Sequence, residues 1–114
     1  MNPVLNGLYN TEITLYTTDN IKPGMAVKFN DDKSVSPVGK FDSFIGICTA
    51  SRGNYVTVAV SGIVTVPYTG TAPELGHSTI SGGAEGYLIY DLDGDYKYIV
   101  LDVNEEKNLF TVIL

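Results

Sequence analysis

Tyr55-Val56-Thr57-Val58-Ala59-Val60-Ser61-Gly62-Ile63-Val64-Thr65-Val66-Pro67-Tyr68 is the stretch on which the fold turns. Val56, Val58, Val60, Gly62, Val64, Val66 and Tyr68 all fall on even positions. A period of two puts these side chains on one face of a strand. A two-residue hairpin turning at Ser61-Gly62 would set Val60 against Ile63, Val58 against Thr65 and Val56 against Pro67. That pairing wastes the valines of the second arm, and Gly sits at the wrong turn position for type II′. One long strand bent at Gly62 keeps the alternation in phase, and the bent strand is the preferred reading. Pro67 cannot donate to a ladder, so it marks an edge or a strand end.

Working outward, the same pattern recurs in shorter pieces. Toward the N-terminus, Arg52-Gly53-Asn54 is a turn, and Phe44 to Ala50 reads as a buried strand. Before it lie a short segment around Val35 to Val38 and the alternating run Met25-Ala26-Val27-Lys28-Phe29. Pro23-Gly24 suits the central positions of a type II turn. Ile13-Thr14-Leu15-Tyr16 begins the first strand pattern, and residues 1–10 read as an irregular arm. Toward the C-terminus, Glu74-Leu75 allows one helical turn, a weak strand lies near Ser78 to Ser81, and Gly82-Gly83 breaks it. Tyr87 to Tyr90 and Tyr96 to Leu101 are strands, and Asp93-Gly94 between them is a hairpin signal. A final hairpin turns through Asn104 to Asn108 and closes with Leu109 to Leu114.

No stretch shows a helical period over three turns. The expected class is therefore all-β, a small barrel or sandwich of roughly eight to ten short strands. Residues 11–114 are expected to form one β domain after the arm. The totals agree. Of 114 residues, 44% are hydrophobic and 18% charged, with eight Tyr, 12 Gly and 5 Pro. A chain of this size buries enough surface for one core, but not for a separately walled active site as well.

Charge and cysteine content exclude several function classes. A net charge of −6, with a pI near 4.4, repels phosphate backbones, and no Lys/Arg stripe opposes it, so nucleic acid is not an expected partner. Cys48, the only cysteine, rules out an internal disulfide and a cysteine-rich metal site, and reads as a buried, inert thiol. No signal-peptide pattern opens the chain and no apolar run approaches the roughly 20 residues that span a bilayer, so no membrane is expected and folding is expected in a cytoplasm.

Candidate chemistry is sparse. The only histidine, His77, follows Gly76. No serine lies in a nucleophile elbow, and Ser61-Gly62 and Ser81-Gly82 read as bend dipeptides. Asp91, Asp93 and Asp95 alternate as calcium ligands do, but Gly94 falls at the fourth position of such a loop and Asp102 at the twelfth, between strands. Ser81-Gly82-Gly83 has no following helix to aim at a phosphate. The tyrosines fit sheet surface or an interface better than a sugar platform, for which Trp is missing. No catalytic, cofactor-binding or metal-binding residue is assigned, no cofactor is expected, and the chain is read as a non-enzyme.

The order of motifs resembles a known family. Ile21-Lys22-Pro23-Gly24-Met25-Ala26-Val27-Lys28-Phe29, then Phe44-Ile45-Gly46-Ile47, then Tyr55 to Val66, then Pro67-Tyr68-Thr69-Gly70-Thr71-Ala72-Pro73-Glu74-Leu75-Gly76, and the closing Val112-Ile113-Leu114 are similar to bacteriophage head decoration, or capsid cement, proteins. The likeness runs from about Ile13 to Leu114. It implies a β-barrel of the tulip or clip type on the outside of a mature capsid, with the major capsid protein as partner. It also implies self-association, often as trimers, and a place in the virion after assembly in a host cytoplasm. The family has no catalytic residues to carry over. Other expectations stand beside it: a tail or head-fibre base component, or a small carbohydrate-binding module. The arm at residues 1–10 is expected to touch the shell by adding a strand to an exposed edge.

Overall fold

The structure is a computed structural model and describes residues 10–114. The expected arm lies outside the described residues except for Asn10. The described residues form ten strands and no helix: β1 (Thr11–Tyr16), β2 (Ala26–Phe29), β3 (Val35–Pro37), β4 (Gly46–Arg52), β5 (Tyr55–Ser61), β6 (Ile63–Thr69), β7 (Gly76–Gly82), β8 (Leu88–Tyr90), β9 (Lys97–Asn104) and β10 (Leu109–Ile113). The first five make a sheet in the order β1-β5-β4-β2-β3, and the last five close into a barrel in the order β10-β6-β8-β7-β9. The all-β expectation holds, as a barrel with a second sheet.

Gly62 joins the two halves. β5 and β6 do not pair with each other: β5 lies between β1 and β4, and β6 between β10 and β8. The bent strand is thus the correct reading and the hairpin is not. Gly62 has φ +108, and a Cβ there would come within 2.0 Å of Asn10 Oδ1. Only glycine suits both the backbone and the space. The Asn10 side chain accepts the Ile63 N–H at 2.8 Å, bracing the bend.

The valine phase survives the bend, but what it faces changes. Val56 and Val58 pack in one core cluster with Ile21, Val27, Val35 and Cys48. Val64, Val66 and Tyr68 pack in another, with Ile80, Leu88, Val100, Phe110 and Val112. Near the bend the sheet is buried on both faces. Ala26, Ile47 and Ala59 lie in register across β2, β4 and β5 and belong to the barrel cluster. Val27, Cys48 and Val58 belong to the other.

Turns confirm some local readings and correct others. Met25 N–H donates to Lys22 O at 3.1 Å around Pro23-Gly24, and Gly24 has φ +95, as a type II turn requires. Gly53-Asn54 links β4 to β5 with Arg52 opposite Tyr55. The last hairpin pairs Leu109 with Asn104, and Asn108 takes φ +54. Pro67 sits opposite Leu109 in β10, and the Tyr68 N–H reaches Asn108 O on that side. Its own nitrogen therefore faces the other side, where β8 pairs only from Tyr68 onward.

The Asp93-Gly94 hairpin is wrong. β8 and β9 do not pair; β7 lies between them. A type I′ turn needs positive φ at both central residues, and neither Asp93 nor Gly94 has it. Asp93 N–H instead donates to Asp91 Oδ1 at 3.0 Å, an Asx turn that starts a crossing loop. The weak strand near Ser78 is the seven-residue β7, which pairs on both sides. The helical turn at Glu74-Leu75 is absent: Glu74 O accepts from the Ser78 hydroxyl at 2.7 Å as the chain enters β7.

Candidate functional site

The structure disperses the residues that sequence inspection weighed. His77 is exposed on β7 opposite Ile99 and makes no side-chain hydrogen bond among the described residues. Cys48 is 1% exposed, and burial pushes its thiol pKa up, away from the thiolate a nucleophile needs. Ser61 ends β5, remote in the pairing scheme from His77. Among the described residues no group of three or more His, Cys, Asp or Glu side chains is placed to hold a metal ion.

The tyrosines form no single platform either. Tyr68 is core, and Tyr98 stacks on Phe44 with centroids 5.1 Å apart. Burial raises the Tyr98 phenol pKa, and the Tyr96 phenol adds to it. Tyr16 and Tyr55 are cross-strand partners in an edge-to-face pair at 5.8 Å.

One surface feature is left unexplained by the packing. Phe41 is 61% exposed and has φ +66, a left-handed conformation that a bulky residue rarely takes. Two hydrogen bonds hold it there. Phe41 N–H donates to Gly82 O at 2.8 Å, and Gly82 N–H donates to Asp42 O at 2.7 Å. A Cβ at Gly82 would come within 2.5 Å of Val38 Cγ2 and 2.7 Å of Gly39 O, so only glycine lets this loop approach β7.

The Asp42 carboxylate ties the loop from its other side. Its Oδ2 accepts from Lys28 Nζ at 2.6 Å and from Gly39 N–H at 2.8 Å. The Lys28 contact, then the Gly39 bond, hold its pKa below the ordinary 3.8. A conformation costing on the order of 1–2 kcal/mol persists because the surroundings over-determine it. Its outcome is an aromatic ring presented to solvent, with Lys40 Nζ 5.1 Å from the ring centre.

The crossing loop between β8 and β9 supplies the opposite wall. It is strapped over β7: Asp91 N–H donates to Thr79 O at 3.0 Å, the Thr79 hydroxyl donates to Asp91 O, and Ile80 N–H donates to Tyr96 O at 3.2 Å. Phe41, Ser43, Ser81, Asp91, Asp93, Gly94, Asp95 and Tyr96 together line a cavity of about 310 Å³. Tyr96 is 56% exposed. Three aspartates thus line one cavity with two exposed aromatic residues.

Ser81 lies beneath them, only 7% exposed. Its hydroxyl lies 3.0 Å from where a Gly94 Cβ would stand. The aspartates weighed as calcium ligands share a cavity lining with Phe41, Tyr96 and Ser81. Sequence reasoning missed Phe41, Tyr96 and Ser81 as a set. The available signal was an aromatic residue at 41 between Gly39-Lys40 and Asp42-Ser43, where turn-forming residues surround it and no alternation explains it.

Comparison of the chain with protein-family models, curated proteins and solved structures finds no match.

Proposed function

We propose that this protein is a non-enzymatic structural component of a phage virion that binds the outside of the capsid and stabilises it. The motif order from Ile21 to Leu114 motivates the reading. The structural observation that supports it most is Phe41, an aromatic ring held in solvent by a backbone clamp rather than by core packing. Aromatic side chains in preset positions are typical anchors of protein interfaces. A cluster built for acyl or phosphoryl chemistry would instead gather a nucleophile, a base and an orienting group, and His77 and Cys48 stand apart in the fold.

A second feature suits attachment to a larger assembly. Among the described residues β1 pairs only with β5, and its other edge is free. An edge of this kind takes up a strand from a partner. Many copies on one shell would add avidity without new contacts. The test is co-sedimentation of purified protein with shells assembled from the major capsid protein of the same phage. Saturable binding, and shells that resist heating better when decorated, are expected. Shells that leave the protein in the supernatant, or specific glycan capture by the isolated protein, would overturn the proposal.

A further inference from the structure

We infer that the free edge of β1 pairs with β1 of a second copy of this chain, antiparallel and about a two-fold axis at Thr14. Such a dimer is independent of the capsid reading above. Among the described residues β1 is the one long strand edge left bare. The barrel is closed, and the other edge of the sheet is β3, three residues long and ending in Pro37. Shortness and proline blunt an edge against pairing. β1 has neither protection: Thr11-Glu12-Ile13-Thr14-Leu15-Tyr16 is six residues without Pro, Lys or Arg, and rich in β-branched and aromatic side chains. Its irregularity lies at the start, between Thr11 and Glu12, and leaves Glu12 to Tyr16 in regular register.

The backbone fixes which groups face outward. Thr17 N–H points into the sheet, to Asn54 O at 2.8 Å. Backbone groups alternate along a strand, so those of Ile13 and Leu15 also point to β5, and those of Glu12, Thr14 and Tyr16 point outward. With the axis at Thr14, Thr14 meets the partner's Thr14 and Glu12 meets the partner's Tyr16. Each such pair exchanges two hydrogen bonds, about six in all. The same register sets Ile13 opposite the partner's Leu15. These two lie on the face of Val58 and Val56, over the sheet's own core cluster, against which Leu15 packs. Ile13 is still 38% exposed, and pairing continues the apolar cluster across the axis. A slip of one residue would set the apolar face of one copy beside the polar face of the other.

Charge selects the same arrangement. A chain of net charge −6 repels its own copy unless the meeting edges oppose their charges. Glu12 is the only charged residue of β1, and the exposed Arg52 lies toward the other end, in the cross-strand row Arg52-Tyr55-Tyr16 on the same face. Antiparallel pairing brings the partner's Glu12 into that row, three strand spacings or about 14 Å from Arg52 along the backbones, a gap the two long side chains shorten. The two-fold axis makes this attraction twice. Parallel pairing in register would set Glu12 beside the partner's Glu12. The antiparallel pairing also closes: the joint sheet ends on the blunted β3 of each copy, so the dimer does not grow into a fibre.

The experiment uses the full chain. Sedimentation velocity from about 1 µM to about 1 mM is expected to show a monomer passing to a dimer. Amide hydrogen exchange at the two ends of that range is expected to show Glu12, Thr14 and Tyr16 protected only at the high one, and Ile13 and Leu15 protected at both. Thr14→Pro removes an outward N–H that the β1–β5 pairing does not use. It is expected to weaken the dimer about tenfold or more, and to melt as wild type does at low concentration. The wild-type exchange pattern carries the test should this variant not fold. A monomer at every concentration, a trimer, a dimer with unchanged exchange along β1, or undiminished dimerisation of a folded Thr14→Pro protein would overturn the inference. Protection of Glu12, Thr14 and Tyr16 that does not depend on concentration would make residues of the same chain the cover of this edge, and would overturn it as well.

Discussion

Tyr16 and Tyr55 are exposed because of where the strands put them; Phe41 and Tyr96 are exposed because loops hold them out. Tyr16 and Tyr55 face each other at the ends of β1 and β5, in ordinary strand geometry, and cover one another edge to face. A pair of this kind contributes about 0.2–1 kcal/mol to the sheet. Phe41 contributes no comparable packing, sits at φ +66, and lines a cavity with three aspartates and Ser81. The first pair is accounted for by folding alone. The second is accounted for by folding only as a cost, which is why it is the place to look for binding.

Substitutions can break this contrast at either end. The largest effect is expected from Gly62→Ala, which strains the bend and drives a methyl into Asn10. Stability should fall by about 3 kcal/mol, read by urea denaturation, with both aromatic regions losing order together. Gly82→Ala should cost about 1–3 kcal/mol and act on one region only. The loop at residues 39–42 would be pushed from β7, and amide shifts at Phe41 and Asp42 would move while those of Tyr16 and Tyr55 stay.

Asp42→Ala loses the Lys28 ion pair and the Gly39 cap, with an expected cost of about 1 kcal/mol. The sign of its pH dependence follows from its lowered pKa. The contribution of Asp42 is fully present above the unfolded value near 3.8 and is lost as pH falls through the lower folded value. The gap in melting temperature between wild type and Asp42→Ala should therefore be constant at neutral pH and close in acid. A gap unchanged down to the acid limit would show that the carboxylate does not hold the loop.

The smallest stability effect, and the sharpest, is at Phe41. Phe41→Gly removes an exposed ring and relieves the left-handed backbone, so stability should stay level or rise by up to about 1 kcal/mol. Tyr55→Gly, in a strand, should lower it by about 1 kcal/mol or more.

The sheet-to-barrel passage was legible in the sequence, because a valine phase kept through Gly62 is wasted in a hairpin and used in full by a bent strand. Local turns at Pro23-Gly24 and Gly53-Asn54 were legible because their signals depend on neighbouring residues alone. The path from β8 to β9 was not. Asp93-Gly94 carries a hairpin signal, yet β7, built largely from small residues such as Ser78, Ser81 and Gly82, inserts between the two strands. Its weak hydrophobic pattern hides how fully it is paired. The pocket was illegible for a related reason. Phe41 and Tyr96 are far apart in the chain, and only the clamp at Gly82 and the strap at Thr79 bring their loops to the same end of β7.

The most direct measurement compares Phe41→Ala with Tyr55→Ala in two assays, thermal unfolding and sedimentation with capsid shells. Phe41→Ala is expected to keep the wild-type melting temperature while losing about tenfold in shell binding, as hot-spot aromatics do. Tyr55→Ala is expected to melt earlier by a few degrees, on the order of 1 kcal/mol for a chain this size, and to bind as wild type does. A Phe41→Ala protein that melts early and binds shells unchanged would contradict the account.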